Sequence, residues 1–352
     1  MEPSEVAASA ASVTEDHPVE PAATGSESRA RRTDASVLRN LLEQMLLVRR
    51  FEERAAELYT MGKIGGFCHL YIGQEAVAVG AISTLRPEDY IFTSYREHGH
   101  ALARGVDSGE VMAELYGKQS GVSEGKGGSK HLFDKARGFL GGHAIVGGQL
   151  PLATGVAFAA KYLKQPRVTL CFFGEAAVNI GSFHESLNLA ALWKLPVVYI
   201  CENNRFGMGT PIERASALYD LSQKALAYNM ARAQVDGMDV LAVRDVVLEA
   251  VERARKENAP TLIEARTYRF MGHSMSDPVH GHYRTKAEVE EQKRHDPIRR
   301  FTSTLESLGL VTQEDVDELD SKVKEIVEDA VGFAERSDDP HPSQLYTDVY
   351  TP

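Results

Sequence analysis

Two polar residues come directly after predicted strands of this sequence, and their side chains could together bind a hard cation. Glu175 follows the apolar run 168–173 after one glycine, and Asn204 follows the apolar run 197–201. Carboxylate and amide oxygens, with a backbone carbonyl nearby, suit magnesium, which takes its other ligands from water and substrate phosphates. A Rossmann-like crossover with an ordinary acidic residue in its loop fits the same spacing. From the residues alone, both interpretations stay open.

The corner after the first of these strands is built from small residues. Gly174, Ala176 and Ala177 flank Glu175 there, and a helix is predicted from about Gly181 to Trp193. Such a corner lets the backbone approach a phosphate at the start of a helix. The strand, helix and following strand predict a parallel sheet with a right-handed crossover. Ligands of such sheets bind at the carboxyl ends of the strands, where Glu175 and Asn204 both fall.

The remaining elements follow from hydrophobic periodicity and from glycine and proline positions. We expect disorder over residues 1–36, one α/β domain over 37–335 and an extended tail over 336–352. Within the domain the pattern predicts helices over 38–61, 74–83 and 240–255, strands over 89–93 and 261–266, and a tightly packed helix from Pro151. The helices of 286–335 are rich in charge, which predicts solvated or partner-facing surfaces.

Composition excludes several classes of protein. The chain has 352 residues, 43% of them hydrophobic, which is enough for a large core, and its net charge of −11 disfavours a nucleic-acid surface. No apolar run approaches the length of a membrane span. The N-terminal segment has too many acidic residues for a transit peptide, so we expect a bacterial cytoplasmic protein. The three cysteines, Cys68, Cys171 and Cys201, fit small core residues better than disulfides.

Four more side chains could do chemistry, although each also has an ordinary structural interpretation. His69 lies in a glycine-rich loop, where a histidine is usually structural. Arg96 follows Tyr95 after a predicted strand and could fork onto phosphate oxygens or form a surface ion pair. His273 lies in the loop after the last predicted strand. The residues alone do not decide among these roles.

Two other motifs are rejected on context. The stretch 117–130 is rich in glycine, serine and lysine but lacks the order of residues and the following helix of a phosphate-binding P-loop. His273, Ser274 and Asp277 contain the residue types of a hydrolase triad. The serine is adjacent to the histidine, however, and the chain has no G-x-S-x-G turn.

Several motifs of this chain together resemble one family. Glu175 and Asn204 are 29 positions apart, which fits the thiamine-diphosphate signature of a glycine–acid–glycine corner followed by two asparagines. The segments FCHLYIGQEA, NLAALWKLPVVYICENNRFGMGT and GHSMSDP resemble the alpha subunit of the pyruvate dehydrogenase component of 2-oxo-acid dehydrogenase complexes. The resemblance covers about residues 38–335. Glu175 and Ala176 depart from the usual aspartate and glycine, and branched-chain relatives also have glutamate at this position.

The resemblance implies a role for each of these positions. It implies the thiamine-diphosphate-binding fold, with magnesium held by Glu175, Asn204 and the carbonyl of Phe206. It places the cofactor against seven further residues: Tyr95, Arg96, Ala144, Val146, Ala176, Ala177 and His273. It implies that His69 and His273 assist the substrate or the acyl transfer. It also implies that a serine equivalent to Ser274 is phosphorylated in mitochondrial relatives.

The activity implied by the resemblance is oxidative decarboxylation of pyruvate, with transfer of the acetyl unit to the lipoyl group of dihydrolipoyl acetyltransferase. It further implies a heterotetramer with a beta subunit, so this chain alone would be catalytically incomplete. Two alternatives remain at this stage. One is an acetoin or branched-chain 2-oxo-acid dehydrogenase alpha subunit. The other is a non-catalytic scaffold whose Glu175–Ala176 corner no longer binds metal.

Overall fold

A computed structural model describes residues 22–349 of the chain. Their centre is a six-stranded, wholly parallel sheet of order β2-β1-β3-β4-β8-β7. The strands of the chain are β1 (Tyr90–Ser94), β2 (Phe139–His143), β3 (Thr169–Gly174), β4 (Val197–Asn203), β5 (Phe206–Gly207), β6 (Thr210–Pro211), β7 (Ala231–Asp236) and β8 (Thr261–Arg266). Strands β5 and β6 form a separate antiparallel pair.

Helices cover both faces of the sheet. They are α1 (Ala22–Arg31), α2 (Ala35–Thr60), α3 (Glu75–Ile82), α4 (His98–Ala103), α5 (Ser108–Leu115), α6 (Gln149–Tyr162), α7 (Gly181–Leu192), α8 (Ile212–Ala215), α9 (Val240–Glu257), α10 (Lys286–Lys293), α11 (Pro297–Ser307) and α12 (Gln313–Arg336). Short 3-10 helices span Gly128–Lys130, Glu175–Asn179, Leu221–Tyr228 and Pro342–Tyr346. The predicted α/β class, a parallel sheet flanked by helices, is confirmed. None of the helices between residues 22 and 349 is long and apolar enough to cross a membrane.

The continuous apolar runs of the central strands follow from burial on both faces. In β4, Val198 and Ile200 pack into the core beneath α2, α3 and α9, whereas Val197 and Tyr199 pack into the core beneath α6 and α7. Successive side chains of a strand point to opposite faces, so a strand covered on both sides is apolar throughout. The same alternation holds in β3.

The two ends of the chain differ from the sequence expectation. Residues 22–31, expected to be disordered, form α1, whose Ala30 is buried and which packs against α9 and α11. Small residues give little hydrophobic signal, so only the tertiary contact shows that this segment is ordered. Residues 35 and 36, also expected to be disordered, begin α2, while residues 1–21 of the expected extension lie outside the described residues. The tail, expected to be extended, contains the 3-10 helix Pro342–Tyr346.

The charged helices also differ from their expected role. Helix α12 buries an apolar face, including Leu319, Val323 and Val327, against α2 and α5. The charges lie on its other face. The helix is therefore amphipathic and packs against the core, although its charge content predicted a solvated or partner-facing surface. The cysteines fit the prediction, because all three are buried and free.

Candidate functional site

The chain reverses its winding direction between β1 and β3. From β1 it crosses to β2 on one side, and it then returns to β3 on the other side. The loops at the carboxyl ends of these strands diverge there and leave a crevice, which is the usual ligand site of open α/β sheets. A cavity occupies this crevice and is lined by Gln74, Ser94, Tyr95, Arg96, Val146, Gly147, Gln149, Phe173, Gly174, Glu175, Ala176, Ala177, Glu202, Asn204, Phe206, Gly207 and His273.

Glu175 is the first residue after β3 and begins a 3-10 helix. The residue is 4% exposed, and its Oε1 is buried without a hydrogen-bond partner among the described residues. Burial raises the pKa of this carboxyl to about 7. A buried carboxylate oxygen without a partner indicates that a donor or a cation completes the site.

Asn204 lies just beyond the end of β4 and is held in one orientation. Its Oδ1 accepts a hydrogen bond from the backbone N–H of Phe206 at 3.3 Å, and its Nδ2 donates to Oε1 of Gln74 at 2.9 Å. The parallel pairing of β3 with β4 sets Gly174 opposite Glu202. The carboxyl ends of the two strands, and with them Glu175 and Asn204, therefore open into the same cavity.

Arg96 brings a buried positive charge to the cavity. Its guanidinium donates to the carbonyl oxygens of Leu70 at 2.9 Å and His273 at 2.5 Å. Among the described residues it has no carboxylate within ion-pair distance, and burial lowers its pKa to about 10. Taking a cation out of water without a counter-charge is costly. The arrangement therefore suits an anionic ligand such as a phosphate.

Three rings form a cluster at the side of the cavity. The ring centroid of His69 lies 4.5 Å from that of Tyr95 and 5.0 Å from that of His273. Burial, together with the positive charge of Arg96, lowers the pKa of His69 to about 2 and that of His273 to about 4. Both imidazoles are therefore neutral near pH 7 and can donate or accept hydrogen bonds without carrying charge.

Nearly all of the residues singled out from the sequence meet at this cavity. Tyr95, Arg96, Val146, Glu175, Ala176, Ala177, Asn204, Phe206 and His273 all line it. His69 is not among the lining residues, although its ring contacts two of them. Ala144 is not among them either, although Val146, two residues later, is. The individual roles of these residues stay predictions.

A buried acidic group in the cavity was missed from the sequence. Glu202 precedes the two asparagines on β4, accepts a short hydrogen bond from the hydroxyl of Tyr71 and lies 3.2 Å from Nε2 of His100. Its position one residue before a polar strand end was the available signal. The other polar lining residues that were missed are Gln74, Ser94 and Gln149.

The donor set of the cavity fits a phosphate bound through a hard cation. One buried carboxylate and one amide oxygen are few protein ligands, and no group of three histidine, cysteine, aspartate or glutamate side chains within residues 22–349 could hold a metal ion by itself. Magnesium tolerates such a sparse set because substrate phosphates and water complete its octahedron. Arg96 adds a second positive charge beside it.

The parallel sheet, with its charged crevice at the carboxyl ends of β1, β3 and β4, defines an α/β enzyme that binds a phosphorylated group. The chain belongs to the dehydrogenase E1 component family, whose family model matches residues 43–343. This is a family of thiamine-diphosphate-dependent enzymes.

Curated relatives give the resemblance a more specific form. The chain is 51% identical over 307 residues to the pyruvate dehydrogenase E1 component subunit alpha of Rhizobium meliloti, covering 87% of this chain and 88% of the relative. It is 46% identical over 308 residues to the protein of that name from Rickettsia bellii, covering 88% and 94%. Identity to the Zymomonas mobilis protein of that name is 46% over 318 residues, covering 90% and 89%.

Proposed function

We propose that this chain is the alpha subunit of a pyruvate dehydrogenase E1 component and catalyses, with a beta subunit, the oxidative decarboxylation of pyruvate. In this proposal the acetyl unit passes to the lipoyl group of dihydrolipoyl acetyltransferase. The observation that carries the proposal is the cavity itself, where unpartnered Oε1 of Glu175, Asn204 and unneutralised Arg96 converge. The names of the relatives support pyruvate as the substrate, and the words 'component' and 'subunit alpha' in those names support membership of a larger complex. The three bacterial relatives support a cytoplasmic location.

The proposal assigns work to particular groups of this chain. Glu175, Asn204 and the Phe206 carbonyl would hold magnesium, while Tyr95 and Arg96 would hold the diphosphate. Thiamine diphosphate supplies, when bound, a nucleophilic carbon and a sink for the electron pair that decarboxylation releases.

The remaining assigned groups are apolar or neutral. Ala144, Val146, Ala176 and Ala177 would bring the chain close to the cofactor. His69 and His273, as neutral rings beside the diphosphate, would orient the keto acid and the acyl acceptor by hydrogen bonds.

The test uses this chain co-expressed with a beta subunit of the same dehydrogenase from the same organism. Pyruvate-dependent reduction of an artificial electron acceptor is followed with added thiamine diphosphate and magnesium, for wild type, Glu175→Ala and Glu175→Asp. We expect Glu175→Ala to lose at least 100-fold in rate and to recover partly at high magnesium. Glu175→Asp keeps a carboxylate and should retain most of the activity. Glu249→Ala, on the exposed face of α9, is the control for substitution alone.

Each other outcome has a defined meaning. Activity that does not depend on Glu175 would exclude the metal assignment. Turnover of acetoin or 3-methyl-2-oxobutanoate without turnover of pyruvate would keep the chemistry and change the substrate. If the assembled complex bound no thiamine diphosphate with magnesium, the chain would be a scaffold subunit.

A further inference from the structure

Gln74 connects one of the candidate metal ligands to the interior of the cavity. It precedes α3, is 1% exposed and lines the cavity together with Asn204. It lies 130 residues before Asn204 in the chain, so only the fold brings the two side chains together. No role has been assigned to it so far.

The direction of the Gln74 amide follows from a chain of hydrogen bonds. The backbone N–H of Phe206 can only donate, so the atom of Asn204 that faces it must be the oxygen Oδ1. The other end of the Asn204 amide is then Nδ2, a donor, and it lies 2.9 Å from the Gln74 amide. The atom of Gln74 that accepts this bond must in turn be Oε1. The hydrogen-bond network, rather than the shape of the amide, thus decides which end is which.

The other end of the Gln74 amide is a donor without an acceptor. Its Nε2 is buried and has no hydrogen-bond partner among the residues that the structure describes. Buried N–H groups are almost always paired in working proteins, because an unpaired one has lost its bonds to water. Gln74 lines the cavity, so the missing acceptor is most simply supplied by what the cavity binds.

The second glutamine of the cavity has the opposite polarity. Nε2 of Gln149 donates to the backbone carbonyl of Phe172 at 2.8 Å, and its Oε1 is the buried atom without a partner. Gln149 therefore offers an acceptor, whereas Gln74 offers a donor. Of the two amides, only Gln74 can bind an anionic oxygen, and it does so in the cavity that also holds Arg96.

We propose that Gln74 is a further binding residue of this site, with two functions. Its Nε2 donates a hydrogen bond to an oxygen of the bound diphosphate, and its Oε1 holds Asn204 so that Oδ1 faces the cation. This inference rests on the proposed function, because the acceptor is the anionic end of that function's cofactor. An amide suits both tasks, since one side chain offers a donor and an acceptor about 2 Å apart.

Two substitutions separate the two functions. Gln74→Glu keeps an oxygen that can accept from Asn204 but replaces the donor with a second, negatively charged oxygen. Gln74→Met has nearly the same length and loses both the acceptor for Asn204 and the donor. Gln44→Met, in α2 and outside the residues that line the cavity, controls for replacing a glutamine by methionine.

The measurement is calorimetric titration of the cofactor-free complex of this chain with its beta subunit. Thiamine diphosphate is titrated at saturating magnesium, and magnesium is titrated at a thiamine diphosphate concentration that saturates each variant. We expect both Gln74 variants to bind thiamine diphosphate about tenfold or more weakly, as for loss of a hydrogen bond to a charged group. Magnesium half-saturation should rise severalfold in Gln74→Met and should not rise in Gln74→Glu. Gln44→Met should match wild type in both titrations.

Thermal unfolding without ligand distinguishes a binding role from a structural one. The melting temperatures of the ligand-free Gln74 variants should lie within a few degrees of that of wild type. Added magnesium and thiamine diphosphate should raise the melting temperature less in the variants than in wild type. If both variants bound thiamine diphosphate within twofold of wild type, the assignment of Gln74 would be overturned and the proposed function would stand. If the wild-type complex bound none, the proposed function would fail and this assignment with it.

Discussion

Arg96 fixes the tautomer of His273. One terminal nitrogen of the guanidinium donates to the backbone oxygen of His273 and also lies 3.3 Å from its Nδ1. A guanidinium has no acceptor atom, so Nδ1 must be the accepting nitrogen and the ring proton must be on Nε2. His273 thus offers an N–H donor, and protonation of Nδ1 would break its bond to Arg96.

The neutral state of the two site histidines leads to a prediction about pH. Because burial and Arg96 hold the pKa of His69 near 2 and that of His273 near 4, neither ring should titrate between pH 5.5 and 8.5. We expect His69→Asn to lower kcat/KM about 100-fold while leaving the shape of its pH profile unchanged over that range. The profile of the complex with its beta subunit is the measurement. An inflection near pH 6.5 that the variant loses would show that His69 titrates in the working enzyme.

Glu175 should destabilise the ligand-free chain at neutral and alkaline pH. Its folded-state pKa of about 7 lies above the ordinary value of 4.5, so the folded chain binds this proton more tightly than the unfolded chain. The tighter proton binding by Glu175 stabilises the folded chain fully below pH 4.5, and this stabilisation is lost as pH rises through 7. Glu175→Gln should therefore raise the free energy of unfolding at pH 8 by up to about 3 kcal/mol, and by much less at pH 5. Denaturant unfolding of ligand-free protein measures this, with Glu249→Gln as the control. If Glu175→Gln changed the free energy of unfolding equally at pH 5 and pH 8, the raised pKa could not belong to Glu175.

Glu114 should be required for order in the glycine-rich stretch 117–130. Its fully buried carboxylate accepts hydrogen bonds from four backbone N–H groups, those of Ser123, Gly125, Gly127 and Gly128. In Glu114→Gln, an NH₂ group would replace one carboxylate oxygen and would face some of these backbone N–H groups. Buried donors would then lie opposite each other without acceptors. We expect trypsin to cleave at Lys118, Lys126 or Lys130 about tenfold faster in the variant. Glu110→Gln, also in α5, should be cleaved as slowly as wild type, and similar rates for all three proteins would exclude this role.

Helix α1 should contribute to stability without contributing to the site. Ala30 is buried between α9 and α11, and the guanidinium of Arg29 lies 3.4 Å from the carboxylate of Asp245. Removing residues 1–33 should lower the melting temperature by roughly 2–4 °C, which corresponds to about 1 kcal/mol in a chain of this size. Ala30→Asp should lower it similarly, while Ala30→Ser should have a smaller effect. Unchanged melting of both Ala30→Asp and the truncated chain would mean that α1 does not pack in solution as described.

The central part of the fold was predictable because its signals are local. The run 168–173, the small-residue corner and Pro196 delimit β3, α7 and β4 within about two residues of their observed ends. The parallel pairing then follows from the crossover rule. That rule also predicts that Glu175 and Asn204 meet at one edge of the sheet.

Other features depend on contacts that the sequence pattern does not encode. Strand β2 contains two glycines and lies at the edge of the sheet, so its sequence resembles a loop. Arg49 donates to the buried carboxylates of Glu75 and Asp296 at 2.6 and 2.8 Å, and these partners are distant in the sequence. Gln74 is the first residue of the predicted helix 74–83, but nothing in that pattern assigns it to the site, and only its long-range bond to Asn204 does so.

In the proposed site a single carboxylate, that of Glu175, holds magnesium, and this has a consequence for how the enzyme would be activated. Without a cation, the charge of Glu175 would repel a diphosphate. Without a diphosphate, one carboxylate, one amide and one backbone carbonyl are too few ligands to retain magnesium. In the proposed enzyme each component therefore raises the affinity of the other by the same factor, as linkage requires. Below saturation, the fraction of active enzyme would then follow the product of the two concentrations, so a fall in free magnesium would lower activity unless thiamine diphosphate rose in proportion.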